Sequence, residues 1–239
     1  MKTRYDCIII GAGISGAAIA YELSKKGYQT LNVDQLAAAG LGSTSNTCAI
    51  IRTHYSTLEG TAIAYESWFD WKNWHAYIGV SDEKGYARFN QTGLINIYHQ
   101  RKIPDKHMKF HDALGIPYEI WNREKLLTRM PHFVDDSFYP PRRPEDPRFH
   151  DLPEKKIDDT ILYYPNDGYI NDPVLSVHNI QRAAESKGAT FLFNAKVISI
   201  RSDENGVLGV DLKDGTRIDA PVLVNAAGPH SAVINQMAG

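Results

Sequence analysis

The stretch Cys7-Ile8-Ile9-Ile10-Gly11-Ala12-Gly13-Ile14-Ser15-Gly16 constrains this chain more than any other. The apolar run Cys7 to Ile10 predicts a strand of a buried parallel sheet. Gly11, Gly13 and Gly16 form a G-x-G-x-x-G turn. Ala17 to Lys26 is rich in helix formers, with Ile19, Ala20 and Leu23 on one face and Gly27 placed as a C-cap. A second strand over Gln29 to Val33 ends at Asp34. Each part has a task in a dinucleotide site. Gly11 permits the tight turn, Gly13 lets backbone approach a pyrophosphate, and Gly16 lets helix pack on strand. The helix N-terminus offers N–H groups and the positive end of its dipole to phosphate. Asp34, about 20 residues on, can accept hydrogen bonds from ribose hydroxyls. A glycine-rich turn with no ligand would leave that acid unexplained.

The chain has 239 residues, enough for one large domain or two small ones, and 43% of them are apolar, enough for a sizeable core. A net charge of −2 with no basic block excludes nucleic acid as a predicted partner. Two cysteines are too few for a disulfide framework. Cys7 reads as a small buried hydrophobe in the first strand, and Cys48 as a loop thiol near the predicted cofactor. No apolar run approaches the roughly 20 residues of a membrane span. The first strand follows the N-terminus too closely to leave room for a signal peptide, so a cytoplasmic protein is expected.

After Asp34, Gln35 to Thr47 is small and polar and suited to lie against a ligand. Ser56-Thr57-Leu58-Glu59 reads as a capping box opening one helix. That helix carries Ile63, Ser67, Trp68, Trp71, Trp74 and Ile78 as a core stripe and ends at Gly79. Strands are predicted over Arg88 to Asn90 and Gly93 to Tyr98, and helices over Lys106 to Leu114 and Asn122 to Met130. Pro140 to Asp159, rich in proline and charge, reads as a long loop that serves as a lid, a chain contact or a solvated excursion. Ile161 to Tyr164 resumes strand character. Asp172 and Pro173 start a helix that runs to Gly188. Strands over Thr190 to Phe193 and Lys196 to Ile200 precede a hairpin turning at Lys213 to Thr216. The run Val222 to Gly228 predicts a buried parallel strand meeting a ligand, and Ser231 is expected to cap a last helix through Met237.

Four blocks carry a resemblance to the D-amino-acid oxidase superfamily of FAD-dependent oxidoreductases, nearest its sarcosine oxidase and dimethylglycine dehydrogenase branch. They are Gly11 to Asp34; Gly42 to Thr47 with Ile50, Ile51, Arg52 and Tyr55; Asn171 to Pro173 with Val197; and Val224 to Pro229. The resemblance implies an α/β fold: a Rossmann-like FAD-binding domain of glutathione-reductase type with an inserted, β-rich α+β substrate domain. The FAD-binding parts are expected at 1–85 and 162–239 and the insertion at 86–161. Family members run well past Gly239, so the chain is expected to be a C-terminally truncated portion or to need a second subunit.

By resemblance, Gly11, Gly13, Ile14, Ser15 and Gly16 hold the FAD pyrophosphate, and Asp34 with Gln35 binds the adenosine ribose. Gly42, Ser43 and Thr44 lie in the phosphate-side loop, the latter two touching phosphate or ribityl oxygens. Ala49 and Ile50 lie against the flavin ring, Val197 meets the adenine, and Ala227 and Gly228 pass close to the cofactor. Arg52 takes the position of a substrate-carboxylate anchor, a task its planar fork suits, and Tyr55 lines the same pocket. His54 beside them reads as a satisfied structural histidine. No histidine lies between Gly40 and Arg52, so the FAD is expected to be non-covalent. A basic residue that some relatives carry three positions before Arg52 is Ala49 here. The implied reaction oxidises the C–N bond of a small secondary or tertiary amino acid, by hydride transfer to flavin N5. No residue stands out as a catalytic acid or base, no metal set is seen, and the electron acceptor is open. Three alternatives stay open: a 2-hydroxy-acid dehydrogenase, a cofactor-binding subunit inactive without a partner chain, and a nicotinamide-dependent dehydrogenase.

Overall fold

A computed structural model describes residues 3–98, 105–153, 155–157 and 160–239. The chain divides into two compact units, one of Met1–Ile50, Asp70–Phe89 and Ile170–Gly239, the other of Ile51–Phe69 and Asn90–Tyr169. These limits differ from the sequence-derived blocks at three places, with 86–89 grouped in the first unit. Residues 51–69 and 162–169 group with the middle of the chain, the latter because Ile161–Tyr164 is the central strand of that unit's sheet.

The first unit is built on a four-stranded sheet in the order Thr190–Leu192, Thr30–Val33, Cys7–Ile10, Val222–Asn225, all parallel. The two central strands are buried at every position, as unbroken apolar runs in a parallel sheet should be. Helices Ile14–Lys25 and Pro173–Ser186 pack against each other. The second is started as expected, with Asp172 Oδ1 accepting the Leu175 N–H at 2.8 Å and Pro173 in the first turn. Ile8, Ile10, Leu31 and Val33 form one core with Val197, Val210, Leu212 and Ile218 of an antiparallel sheet and Ile234 of the last helix. Each such buried aliphatic chain contributes about 1.5–3 kcal/mol, which is why the short strands hold together.

The second unit has an antiparallel sheet in the order Leu94–Ile97, Ile161–Tyr164, Glu119–Trp121. Its core is Trp121, Leu126 and Ile161 with Ile95, Ile97 and Tyr163 against them. Asn122 caps the helix Arg123–Arg129 by accepting the Lys125 N–H at 2.8 Å.

The structure corrects several expectations. The long tryptophan helix is two helices, Leu58–Lys72 and Trp74–Ile78, with Gly79 at φ 67° closing the second. Thr57, not Ser56, supplies the cap, its Oγ1 accepting the Gly60 N–H at 3.1 Å. Trp68 and Trp74 are core, but Ile63 is 66% exposed. Two helical turns back from Trp68 fall on Thr61, which is fully buried, and not on Ile63. The proline-rich stretch is not structureless at its base, because Asp136–Ser137 pairs with Lys155–Lys156; its residues 154 and 158–159 lie outside the described residues. Ser231 is the first residue of the helix Ser231–Ala238 and donates back to the Gly228 carbonyl at 2.7 Å instead of capping.

Candidate functional site

The carboxyl ends of the parallel strands bring the glycine turn together with Asp34 and the Ala226-Ala227-Gly228 segment. Parallel sheets bind ligands at this edge because helix N-termini and strand-end loops converge there. Gly11 sits at φ 111° and donates its N–H to the Val33 carbonyl at 2.8 Å. A Cβ at Gly11 would run into the Ala226 carbonyl, and one at Gly16 into the Gly11 carbonyl. The first glycine thus permits the turn, and the third lets the helix close on the strand. The helix Ile14–Lys25 begins at Gly13, which has no side chain to cap it. The Thr44 hydroxyl, brought from the following loop, accepts the Ile14 N–H at 3.2 Å.

Asp34 is fixed through both oxygens: Oδ2 accepts the Ala12 N–H at 2.7 Å and Oδ1 the Leu36 N–H at 2.9 Å. A carboxylate has about four acceptor sites, so further acceptor capacity remains for hydroxyl donors. Asn32 was not foreseen. It is fully buried in the second strand, and its Nδ2 donates to the carbonyls of Gly11 at 3.3 Å and Gly16 at 3.0 Å. It ties both ends of the glycine turn to the sheet. The only hint in the sequence is one amide interrupting an apolar run.

A cavity of about 660 Å³ opens at this edge. Gly11, Gly13, Ile14, Ser15, Asp34, Gln35, Gly42, Ser43, Thr44, Val197, Ala227 and Gly228 all line it. Gly16 lies behind its wall as a helix contact. Ala49 and Ile50 are not on its walls; Ala49 adopts φ 50° and Ile50 is 52% exposed. Lys196 and His230 also line it, as do Val233, Ile234 and Met237 of the last helix, none of them foreseen. The glycine turn, Asp34, Ser43 and Thr44 make the polar wall, and Val197 with the last helix makes an apolar one. Backbone N–H groups with hydroxyls suit phosphate, a fixed carboxylate suits ribose, and an apolar wall suits a base, so the walls fit a dinucleotide.

In the second unit, the segment 52–55 turns its two ends outward and its two middle residues inward. Arg52 is exposed and its guanidinium lies 4.7 Å from the Tyr55 ring centroid, while Tyr55 is 39% exposed. Thr53 and His54 point inward. His54 stacks on Tyr164 at 4.1 Å, and its Nδ1 lies 3.1 Å from Asp167 Oδ2, so it is a satisfied buried histidine.

Two other sets of reactive groups are engaged or buried. Asp82, Glu83 and His178 lie together with metal-ligand chemistry. However, Asp82 Oδ2 already accepts from His178 at 2.8 Å and Asn179 at 2.7 Å, and Glu83 pairs with Arg182 at 2.8 Å, which makes the group a clamp on its helix. Burial, then the neighbouring Asp6 charge, pushes the Cys7 thiol up, as suits an inert core cysteine. Cys48 is exposed. Among the described residues, no helix is long and apolar enough to cross a membrane.

A protein-family model described as DAO, FAD dependent oxidoreductase, matches residues 6–239. The chain is 28% identical over 244 residues to sarcosine oxidase subunit beta of Rhizobium meliloti, covering 100% of this chain and 53% of that protein. It is 24% identical over 256 residues to alpha-glycerophosphate oxidase of Enterococcus casseliflavus, covering 99% of this chain and 37% of that protein. In fold it resembles the crystal structure of L-proline dehydrogenase from P. horikoshii, with a TM-score of 0.77 at 22% identity over 100% of this chain and 57% of that one. The chain thus spans about half the length of the sarcosine oxidase subunits it matches.

Proposed function

Because this chain belongs to the DAO family of FAD-dependent oxidoreductases, we propose that it serves in oxidising the C–N bond of a small secondary or tertiary amino acid. The cofactor is FAD. The observation that carries the proposal is the cavity at the sheet edge, whose glycine turn and doubly fixed Asp34 present dinucleotide-binding chemistry. The relatives named for sarcosine and proline support the amine as substrate.

Bound FAD supplies the acceptor for two electrons. The chain's own residues bind and orient. Gly11, Gly13, Ile14 and Ser15 are proposed to hold the pyrophosphate, with Gly16 packing the helix behind them. Ser43 and Thr44 of the Gly42 loop reach phosphate or ribityl oxygens. Asp34 with Gln35 takes the ribose, Val197 the adenine, and Ala227 and Gly228 pass along the cofactor. Ala49 and Ile50 are assigned to the flavin ring by resemblance alone. Arg52 is proposed to bind the substrate carboxylate, with Tyr55 fixing the plane of its guanidinium by cation–π contact.

Asp34→Asn should weaken FAD binding about 10- to 100-fold, since the amide must point a donor at one of the two N–H groups the carboxylate now accepts. FAD titration of the apoprotein measures this, and an unchanged affinity would remove Asp34 from the site.

The reacting amine must be neutral, because its lone pair drives loss of the α-hydrogen with its electron pair. For a secondary amino acid, kcat/KM should therefore rise about tenfold per pH unit up to the amine's pKa. Stopped-flow reduction across pH tests this, and a flat profile with chemistry limiting would argue against amine oxidation. A second reading, oxidation of a C–O bond, is favoured by the match to alpha-glycerophosphate oxidase; a hydroxyl substrate gives no such rise. We further propose that the chain works beside a second subunit, as the subunit beta relatives suggest. Sizing the protein with and without candidate partners tests that.

A further inference from the structure

We propose that Asp167 is a positioning residue for carboxylate recognition, acting through the main chain that presents Arg52 and Tyr55. The inference rests on the reading of Arg52 as the carboxylate anchor. Asp167 is fully buried, in the turn Asn166-Asp167-Gly168. Its Oδ1 accepts both the Thr53 N–H at 2.8 Å and the Thr53 hydroxyl at 2.7 Å, and its Oδ2 meets His54 Nδ1 at 3.1 Å. One carboxylate thus holds the two residues between Arg52 and Tyr55.

The segment needs such a hold. The strand Ile50–Ile51 ends just before it and the helix Leu58–Lys72 begins after it, so no regular ladder sets its backbone. Side-chain bonds to buried partners do so instead. Thr53 is fully buried, and the Tyr55 N–H donates to Thr61 Oγ1 at 3.3 Å. His54 is held on three sides: by Asp167, by the Tyr164 ring, and by Asn96 Nδ2 at 3.2 Å from Nε2. A carboxylate only accepts, so Nδ1 carries the hydrogen and Nε2 accepts the Asn96 Nδ2–H hydrogen bond. Burying a carboxylate carries a desolvation penalty, so a well-packed neutral residue would serve stability alone at least as well. What the carboxylate adds is direction. Three donors converge on two oxygens, which fixes the backbone from residue 53 to 54 and with it the points from which the outward side chains leave.

The test uses the FAD-loaded protein, with acetate as an unreactive carboxylate probe followed by the flavin absorption change. Thr53→Val removes one donor and keeps the shape, Asp167→Asn removes the charge, and Arg52→Ala removes the anchor. Thr53→Val should weaken acetate binding about tenfold and raise KM by more than kcat falls, with Asp167→Asn giving a larger effect. FAD content should stay full in both. Should Asp167→Asn not fold, Thr53→Val alone decides. Lower thermal stability with acetate affinity and KM unchanged would reduce Asp167 to a structural role and overturn the inference. If Arg52→Ala leaves acetate binding unchanged, the carboxylate-anchor reading fails and the inference falls with it. If Arg52→Ala abolishes binding and Thr53→Val does not weaken it, only the positioning role fails.

Discussion

Gly11→Ala is expected to abolish FAD binding and to destabilise the first unit by about 3 kcal/mol or more. Two costs combine. A side chain at φ 111° occupies backbone space that only glycine visits freely, worth about 1–3 kcal/mol. Its Cβ would also overlap the Ala226 carbonyl, so the neighbouring strand end must move, at about 1–3 kcal/mol more. For a chain of this size each kcal/mol lowers Tm by about 2–4 °C. Gly27→Ala is the control: Gly27 has φ 88° but nothing within 4 Å of an added Cβ. It should lose about 1–3 kcal/mol of stability through its φ alone and keep FAD. Thermal denaturation with FAD stoichiometry separates the two, and a Gly11→Ala protein that holds FAD as Gly27→Ala does would refute the close-approach role.

Arg52→Ala should raise KM for an amino acid substrate about 100-fold while leaving FAD content unchanged. A charge-assisted hydrogen bond is worth about 1.5–3 kcal/mol, and a bidentate pair sits at the upper end. Arg52→Lys should recover only part of the loss, because an ammonium keeps the charge but not the fork. Steady-state kinetics with the flavin spectrum of each variant checks this. An equal loss in Lys and Ala variants would mark geometry as the whole contribution, and no loss in either would remove Arg52 from recognition.

Much of the dinucleotide site could be read before the structure because its parts are local. Strand, glycine turn, helix and terminal acid succeed one another within Cys7 to Asp34, and each carries its own chemical signature. The strand Val222–Asn225 was legible as an unbroken apolar run and pairs with Cys7–Ile10, but it ends the described sheet and is not buried as expected, Val222 being 51% exposed. What escaped was phase, brevity or distance. Ile63 was placed by a period that drifts off the buried face within two turns. Glu119–Trp121 and Lys155–Lys156 are too short to show a period at all. Asn32 looks like an interruption until its amide is seen between two carbonyls. Asp167 reads as a turn residue, and its partners Thr53 and His54 lie more than a hundred positions earlier in the chain. Lys196 and His230 carry no spacing signal, and only the fold places them on the cavity wall.

The most direct test of amine oxidation is the absorption spectrum of the purified, FAD-loaded protein on anaerobic addition of sarcosine or proline. Oxidation of a C–N bond predicts a flavin band that bleaches with the amino acid and returns when an acceptor is admitted. A bound flavin that stays oxidised with N-methyl and cyclic amino acids, yet bleaches with a hydroxylated substrate, would contradict it.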